Sequence, residues 1–134
     1  MKSAQIRKYG GSEVVEITQT ASIPNVPAAG KVLVIIKATS VNPDDWKIRE
    51  GYYQQMMPLQ FPFTLGRDYS GIVKEIGESV SDFKQGDEVY GQAGVITGGS
   101  GAFAELAIAN VENIAHKSKS LSHTEAAALP LAKH

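Results

Sequence analysis

Ser40-Val41-Asn42-Pro43-Asp44-Asp45-Trp46-Lys47-Ile48-Arg49-Glu50-Gly51-Tyr52-Tyr53 is a short helix written with both of its ends. Asn42 can accept a hydrogen bond from a backbone N–H that has no partner inside the helix. Pro43 falls at the first helical position, where its missing N–H costs nothing. Asp45 falls at the third, where a carboxylate can bond back to the cap and meet the positive end of the helix dipole. Gly51 permits the left-handed backbone that stops a helix. A β-rich run over residues 31–41 feeds directly into this helix, and two tyrosines follow it. One or two helical turns at the mouth of a strand form a device for aiming side chains.

Working outward, residues 31–38 (KVLVIIKA) are a continuous apolar run, which predicts a strand buried on both faces. Upstream, residues 2–8 and 13–20 predict a hairpin turned by Tyr9-Gly10-Gly11, with Ala4 and Ile6 on one face and Val15 and Ile17 inside. Pro24, Pro27 and Gly30 mark a loop. Downstream, residues 54–62 are loop, and Phe61, Phe63 and Leu65 are expected to plug the core, as are Trp46 and Ile48. Residues 65–77 predict a strand interrupted by Gly66, Gly71 and Gly77, where backbone bends or packs closely. Further short strands are expected over 88–91, 102–108 and 111–116, with a glycine-rich loop at 94–101. Ser122-His123-Thr124-Glu125 is a capping box ahead of an alanine run, hence a second helix. Ala126, Ala127, Leu129, Leu131 and Ala132 continue it as an apolar tail. Many short strands, glycine turns and two small helices indicate a compact, mostly β barrel.

The totals exclude some functions. With 134 residues the chain is most simply one domain. Apolar residues at 43% and charged residues at 20% describe a globular composition. A net charge of −1 gives no reason to expect nucleic acid or an anionic membrane as partner. The absence of cysteine excludes disulfides and thiolate metal sites. No apolar signal core or spanning segment is visible, so a soluble, cytoplasmic chain is the expectation.

These pieces in this order resemble the N-terminal, GroES-like domain of the medium-chain dehydrogenase/reductase superfamily, in its zinc-free, quinone oxidoreductase-like branch. The resemblance is carried by Tyr9-Gly10-Gly11 with Glu13-Val14 and by Val41-Asn42-Pro43-x-Asp45-Trp46-Lys47-Ile48-Arg49-x-Gly51. It continues through Leu65-Gly66-x-Asp68-x-x-Gly71-x-Val73, Ile76-Gly77 and Val80-x-x-Phe83-Lys84-x-Gly86-Asp87-x-Val89. Glu125-Ala126-Ala127-Ala128-Leu129-Pro130-Leu131 closes it. The implied fold is a mainly β, partly open GroES-like barrel with two or three short helices, occupying residues 1–134. In the family a dinucleotide-binding domain follows. Here the glycine pattern Gly98-Gly99-x-Gly101 lies in a loop before a strand, which is not the dinucleotide-binding context. The expectation is therefore a chain truncated before its Rossmann domain. The resemblance then implies that Ala126, Ala127, Leu129, Leu131 and Ala132 would be an exposed patch at the carboxyl end.

What the resemblance implies for the site follows residue by residue. Zinc-using relatives have a cysteine before the helix and Gly-His-Glu after the loop; here those slots hold Asn42 and Gly66-Arg67-Asp68, so no zinc is expected. His116 and His123 are expected to be surface residues. Asn42 carries two readings, a helix cap alone or an amide beside nicotinamide and substrate that donates to a carbonyl oxygen as charge develops. Tyr53 matches a pocket tyrosine of many relatives, with Tyr52 as a competitor. Lys47 stands where some relatives have a tyrosine. Asn42 and Tyr53 are thus the candidate catalytic residues, and Asn42, Lys47 and Tyr53 the candidate cofactor contacts. Asp45 reads as a capping carboxylate in preference to a general base. Asp44 and Asp45, being adjacent on a helix, do not face one another as a catalytic pair. No Ser/His/Asp arrangement is visible, since Ser122 and His123 serve the cap.

The implied activity is that of an NADPH-dependent reductase passing a hydride to a quinone, an enone or an aldehyde. The complete enzyme would bind NADPH and a small-molecule carbonyl substrate, with homo-oligomers possible. The isolated chain is expected to bind no cofactor and to be inactive. The other reading is a non-catalytic GroES-like binding or assembly module.

Overall fold

The computed structural model describes residues 1–25 and 27–129. Strands β1 (Ser3–Ile6), β2 (Glu16–Thr18) and β4 (Phe63–Thr64) form a small antiparallel sheet in the order β2-β1-β4. Strands β3 (Lys31–Thr39), β5 (Asp68–Ile76), β6 (Glu88–Gln92), β7 (Leu106–Asn110) and β8 (Ile114–His116) form a larger one, in the order β7-β3-β5-β6-β8. Helix α1 (Pro43–Glu50) follows β3, and α2 (His123–Ala127) packs on β3, β5 and β6. The architecture is mainly β with open sheets, as the residues and the resemblance predict.

The continuous apolar run of β3 is covered on both faces: Val32 and Val34 are fully buried on one, Leu33 is 4% exposed on the other. Its neighbour β5 must approach closely. A Cβ on Gly71 would lie 2.2 Å from the Ile35 carbonyl oxygen, so only glycine fits there. The main core gathers Val32, Val34, Tyr69, Val73 and Val89 with Ala107 and Ala109 of β7 and the loop residues Ala93 and Ala102. Burial pushes the Tyr69 phenol above its ordinary pKa range. A second cluster of Ile6, Val14, Phe63 and Leu65 sits under the small sheet, joined by Ile48 from α1.

Several expectations are corrected. Ile17 is exposed, because residues 12–14 form a 3-10 turn that leaves β2 only three residues and puts Val14, not Ile17, into the core. Trp46 also lies outside the core; its ring meets Tyr52 edge-on at 5.2 Å, on the outer face of α1. Phe61 is likewise exposed and stands edge-on to Tyr9 at 5.3 Å, while Phe63 and Leu65 do fill the core. The strand expected at 102–108 begins later, at Leu106, since Ala102 and Phe103 are tied by backbone bonds to Gly66 and Leu65. Residues 111–113 are a 3-10 turn ahead of β8. Ala126 and Ala127 are buried against this chain's own strands, so they form no exposed patch. Leu131 and Ala132 lie outside the described residues.

Candidate functional site

The site forms where β3 leaves the large sheet and β5 enters it. Thr39 pairs with Tyr69, so the chain just past β3 runs beside the start of β5. This register brings Asn42 to Asp68. The Asn42 side-chain amide donates from Nδ2 to Asp68 Oδ2 at 2.9 Å, and Asp68 is fully buried. A carboxylate only accepts, so the contact fixes which end of the amide faces Asp68.

Helix α1 has the ends its sequence predicts. Asn42 and Asp45 form a capping box, and Gly51 takes the left-handed conformation at φ 89°. The tight half of the box is the Asn42 N–H donating to Asp45 Oδ2 at 2.7 Å. The other half corrects the expectation for Asn42: its side chain accepts no cap hydrogen bond, and the Asp45 N–H donates instead to the Asn42 main-chain oxygen at 2.9 Å. Burial raises the Asp45 pKa, helped by the Asp68 and Asp44 charges and opposed by the Asn42 N–H and by Arg67. Asp45 is therefore a capping carboxylate, and it also borders a cleft.

That cleft is a shallow one with largely apolar walls from Ile48, Phe63, Leu65 and Ile96, and with Asp45, Arg67 and Thr97 as polar groups. The Arg67 guanidinium donates from one terminal nitrogen to Asp44 Oδ2 at 2.8 Å. Its Nε is buried and makes no hydrogen bond among the described residues. Asn42 is not a lining residue, but it is bonded to one, Asp45, and to the neighbour of another, Asp68. Lys47 and Tyr53 do not line this cleft. Lys47 Nζ lies 5.8 Å from the Trp46 ring centroid. Tyr53 is half-buried in the turn after α1, where its carbonyl accepts from the Met56 and Met57 N–H groups at 3.0 and 2.8 Å.

Two features escaped sequence reasoning. The Asp44–Arg67 and Asn42–Asp68 contacts join residues that a strand and a loop separate, and only Asp68 and Arg67, polar at the head of an apolar strand, hinted at them. The second is a Ser70–His123–Glu88 series, which corrects the surface reading of His123, a side chain that is partly buried against β5 and β6. Ser70 Oγ contacts His123 Nδ1, and His123 Nε2 lies 3.0 Å from Glu88 Oε2. Ser70 is fully buried, so its hydroxyl is a tether for α2 and not an accessible nucleophile. Among the described residues no group of three or more His, Cys, Asp or Glu is placed to hold a metal. No helix among them is long and apolar enough to cross a membrane.

Comparison with known proteins agrees with this architecture. The chain belongs to the alcohol dehydrogenase GroES-like domain family, whose pattern matches residues 28–119. It is 41% identical to the human NAD(P)H oxidoreductase RTN4IP1, mitochondrial, over 93% of its own length and 34% of that protein. It is 36% identical to quinone oxidoreductase from Sus scrofa, over 96% of its length and 37% of that protein. Among solved structures, the Coxiella burnetii quinone oxidoreductase superposes with a TM-score of 0.86 at 32% identity, covering 98% of this chain and 41% of that one. The Escherichia coli quinone oxidoreductase complexed with NADPH gives 0.83 at 29% identity, covering 96% of this chain and 37% of that one. The chain thus spans 34% to 41% of the length of these relatives.

Proposed function

We propose that these residues form the substrate-cleft domain of a zinc-independent, NADPH-dependent oxidoreductase that reduces a quinone, an enone or an aldehyde. The observation that supports this most is the apolar-walled cleft beside the first turn of α1, with the Asn42 amide held by Asp68 next to the lining residues Asp45 and Arg67. One of the two amide N–H groups is spent on Asp68, which leaves the other for a carbonyl oxygen. The chain's residues fit the nicotinamide end of the cofactor and not its pyrophosphate, because Asp44 and Asp45 fill the α1 N-terminus with negative charge. When bound, the reduced nicotinamide would supply the hydride. The apolar walls would exclude water, and Asn42 would steady the substrate oxygen. Tyr53 and Lys47 belong to this reading as rim contacts supported by the resemblance alone. Homo-oligomers are part of it too. A cytoplasmic location rests on composition; relatives named as mitochondrial and chloroplastic supply the rival compartments, which fractionation would distinguish.

Binding measurements test the division of labour. A few nicotinamide-end contacts of about 1 kcal/mol each cannot offset the several kcal/mol lost on association. The 134-residue chain alone should bind NADPH no better than about millimolar, near 4 kcal/mol, and show no turnover. Fused to the dinucleotide-binding part of a relative, it should oxidise NADPH with a quinone, and Asn42→Ala should lower kcat more than it weakens NADPH binding. Micromolar binding by the chain alone would contradict the first statement, and unchanged turnover would reduce Asn42 to a helix cap. Zinc independence has its own check: elemental analysis of untagged protein should find far less than one zinc per chain, whereas stoichiometric zinc would refute it.

A further inference from the structure

We infer that Arg67 is a catalytic residue of the cleft, the cation that meets the substrate oxygen as it becomes negative, with Asp44 as its positioning partner. The inference rests on the substrate-cleft reading above and adds a residue to it. Arg67 is the one cationic side chain among the described residues that line the cleft. The cleft walls beside it are chiefly apolar, so its field is screened less there than in water, while Asp45, the other charged lining residue, offsets part of it. The Asp44 carboxylate binds one terminal nitrogen from outside the cleft lining, at 2.8 Å, and fixes the plane of the guanidinium. Nε remains buried without a hydrogen bond among the described residues. An N–H kept from water and from protein acceptors carries a desolvation cost, so the guanidinium sits where few polar groups compete for it. The stem of Arg67 packs on Gly94, where an added Cβ would stand 3.4 Å from Arg67 Cγ, so the side chain is confined along the cleft wall.

The chemistry asks for such a group. When a conjugated carbonyl compound accepts a hydride at carbon, its π pair moves to the oxygen, giving an enolate; for a quinone this enolate is a keto tautomer of the hydroquinone monoanion and becomes hydroquinone by tautomerising after protonation. Water then supplies the proton to that anion, and the hydride donor is left oxidised. A guanidinium aimed at the oxygen stabilises the anion more than the neutral ketone, which is the differential interaction that lowers a barrier. Arg67 would thus do with a fixed side-chain charge what a bound metal ion does for a polarised carbonyl.

The test uses para-nitrophenol, whose neutral and ionised forms differ in absorbance, titrated into the 134-residue chain across pH. Its place is read from the methyl resonances of Ile48, Leu65 and Ile96. The wild-type chain should bind the phenolate about tenfold more tightly than the phenol, as a charge-assisted hydrogen bond requires. Arg67→Met should reduce that preference to about none, with the circular dichroism of the fold retained. Asp44→Asn keeps the guanidinium and removes the compensating charge, so the preference should rise. Binding in the cleft with no preference for the ionised form, or a preference that survives Arg67→Met, overturns the role of Arg67 alone. An unchanged or reduced preference in Asp44→Asn does the same, and this variant carries the test if Arg67→Met does not fold. No binding at the cleft methyls overturns the substrate-cleft reading together with the inference.

Discussion

The two helices carry the same device and use it differently. Each begins with a capping box, Asn42 with Asp45 in α1 and Ser122 with Glu125 in α2. In α2 the box is a surface affair: Ser122 N–H donates to Glu125 Oε1 at 2.9 Å, and Glu125 N–H to Ser122 Oγ at 3.1 Å. In α1 the same box is buried against the head of β5, where Asp68 and Arg67 join it to a cleft. The two boxed carboxylates consequently shift in opposite directions. Burial raises the pKa of Asp45, whereas hydrogen bonds from Ser122 lower that of exposed Glu125. A cap motif specifies that a helix starts; what its carboxylate can do is decided by the surface it is pressed against.

Strand β5 serves both helices from one face. Asp68 and Ser70 are two residues apart and so point the same way, the first to Asn42 and the second to His123. The largest expected effect is at the α1 end. Asp68→Ala would empty a fully buried position and leave the partly buried Asn42 amide without its acceptor, and should destabilise by about 2 kcal/mol. Ser70→Ala breaks a contact to a partly exposed histidine and should cost about 1 kcal/mol. Urea unfolding of both variants measures the difference, and a Ser70→Ala cost equal to that of Asp68→Ala would erase the asymmetry.

The next effect concerns the buried box. Asp45→Ala removes the acceptor for the Asn42 N–H and should cost about 1 kcal/mol. Asp45→Asn keeps an acceptor oxygen and removes a charge that burial disfavours, so it should cost less than the alanine variant at neutral pH. The sign follows from the raised pKa: the folded state prefers the protonated acid, so stability falls as pH rises through the folded pKa. The asparagine variant should therefore gain on the wild type over that interval. A stability gap independent of pH would mean that Asp45 is not strained by its burial.

Much of this was legible before any coordinates, and the division has a physical cause. Helix ends, turns and the doubly buried strand are local: Asn42, Pro43 and Gly51 fix α1 by themselves, and the run over Lys31–Thr39 fixes β3. Side-chain destinations are not local. Trp46 falls at an apolar position of a short helix, yet only the packing of α1 on Phe63 and Leu65 decides that Ile48 faces in and Trp46 out. Arg67 was readable as a poor zinc ligand, but not as a cleft cation, because its partner Asp44 lies 23 residues earlier. The Ser70–His123 contact spans 53 residues and leaves no periodic trace.

The smallest effect belongs to the surface box, and its sign should be the reverse of that at Asp45. Glu125 has a lowered folded pKa because its ionised form accepts from Ser122 and sits at the positive start of α2, with Lys117 adding a weaker attraction. A carboxylate with a depressed pKa contributes stability above its unfolded pKa and loses that contribution as pH falls through the folded one. Glu125→Gln keeps an acceptor for the Ser122 N–H but removes the charge, so the variant should be slightly less stable than the wild type near neutrality. The gap should close on acidification, while the gap between wild type and Asp45→Asn should change in the opposite sense over its own pH interval. Full exposure of Glu125 means that salt should also shrink its gap. Thermal unfolding of both variants across pH, at low and high salt, measures the two slopes together. Parallel slopes would show that the two boxes share one electrostatic environment, and the contrast between a cap that only starts a helix and a cap that borders a cleft would fail.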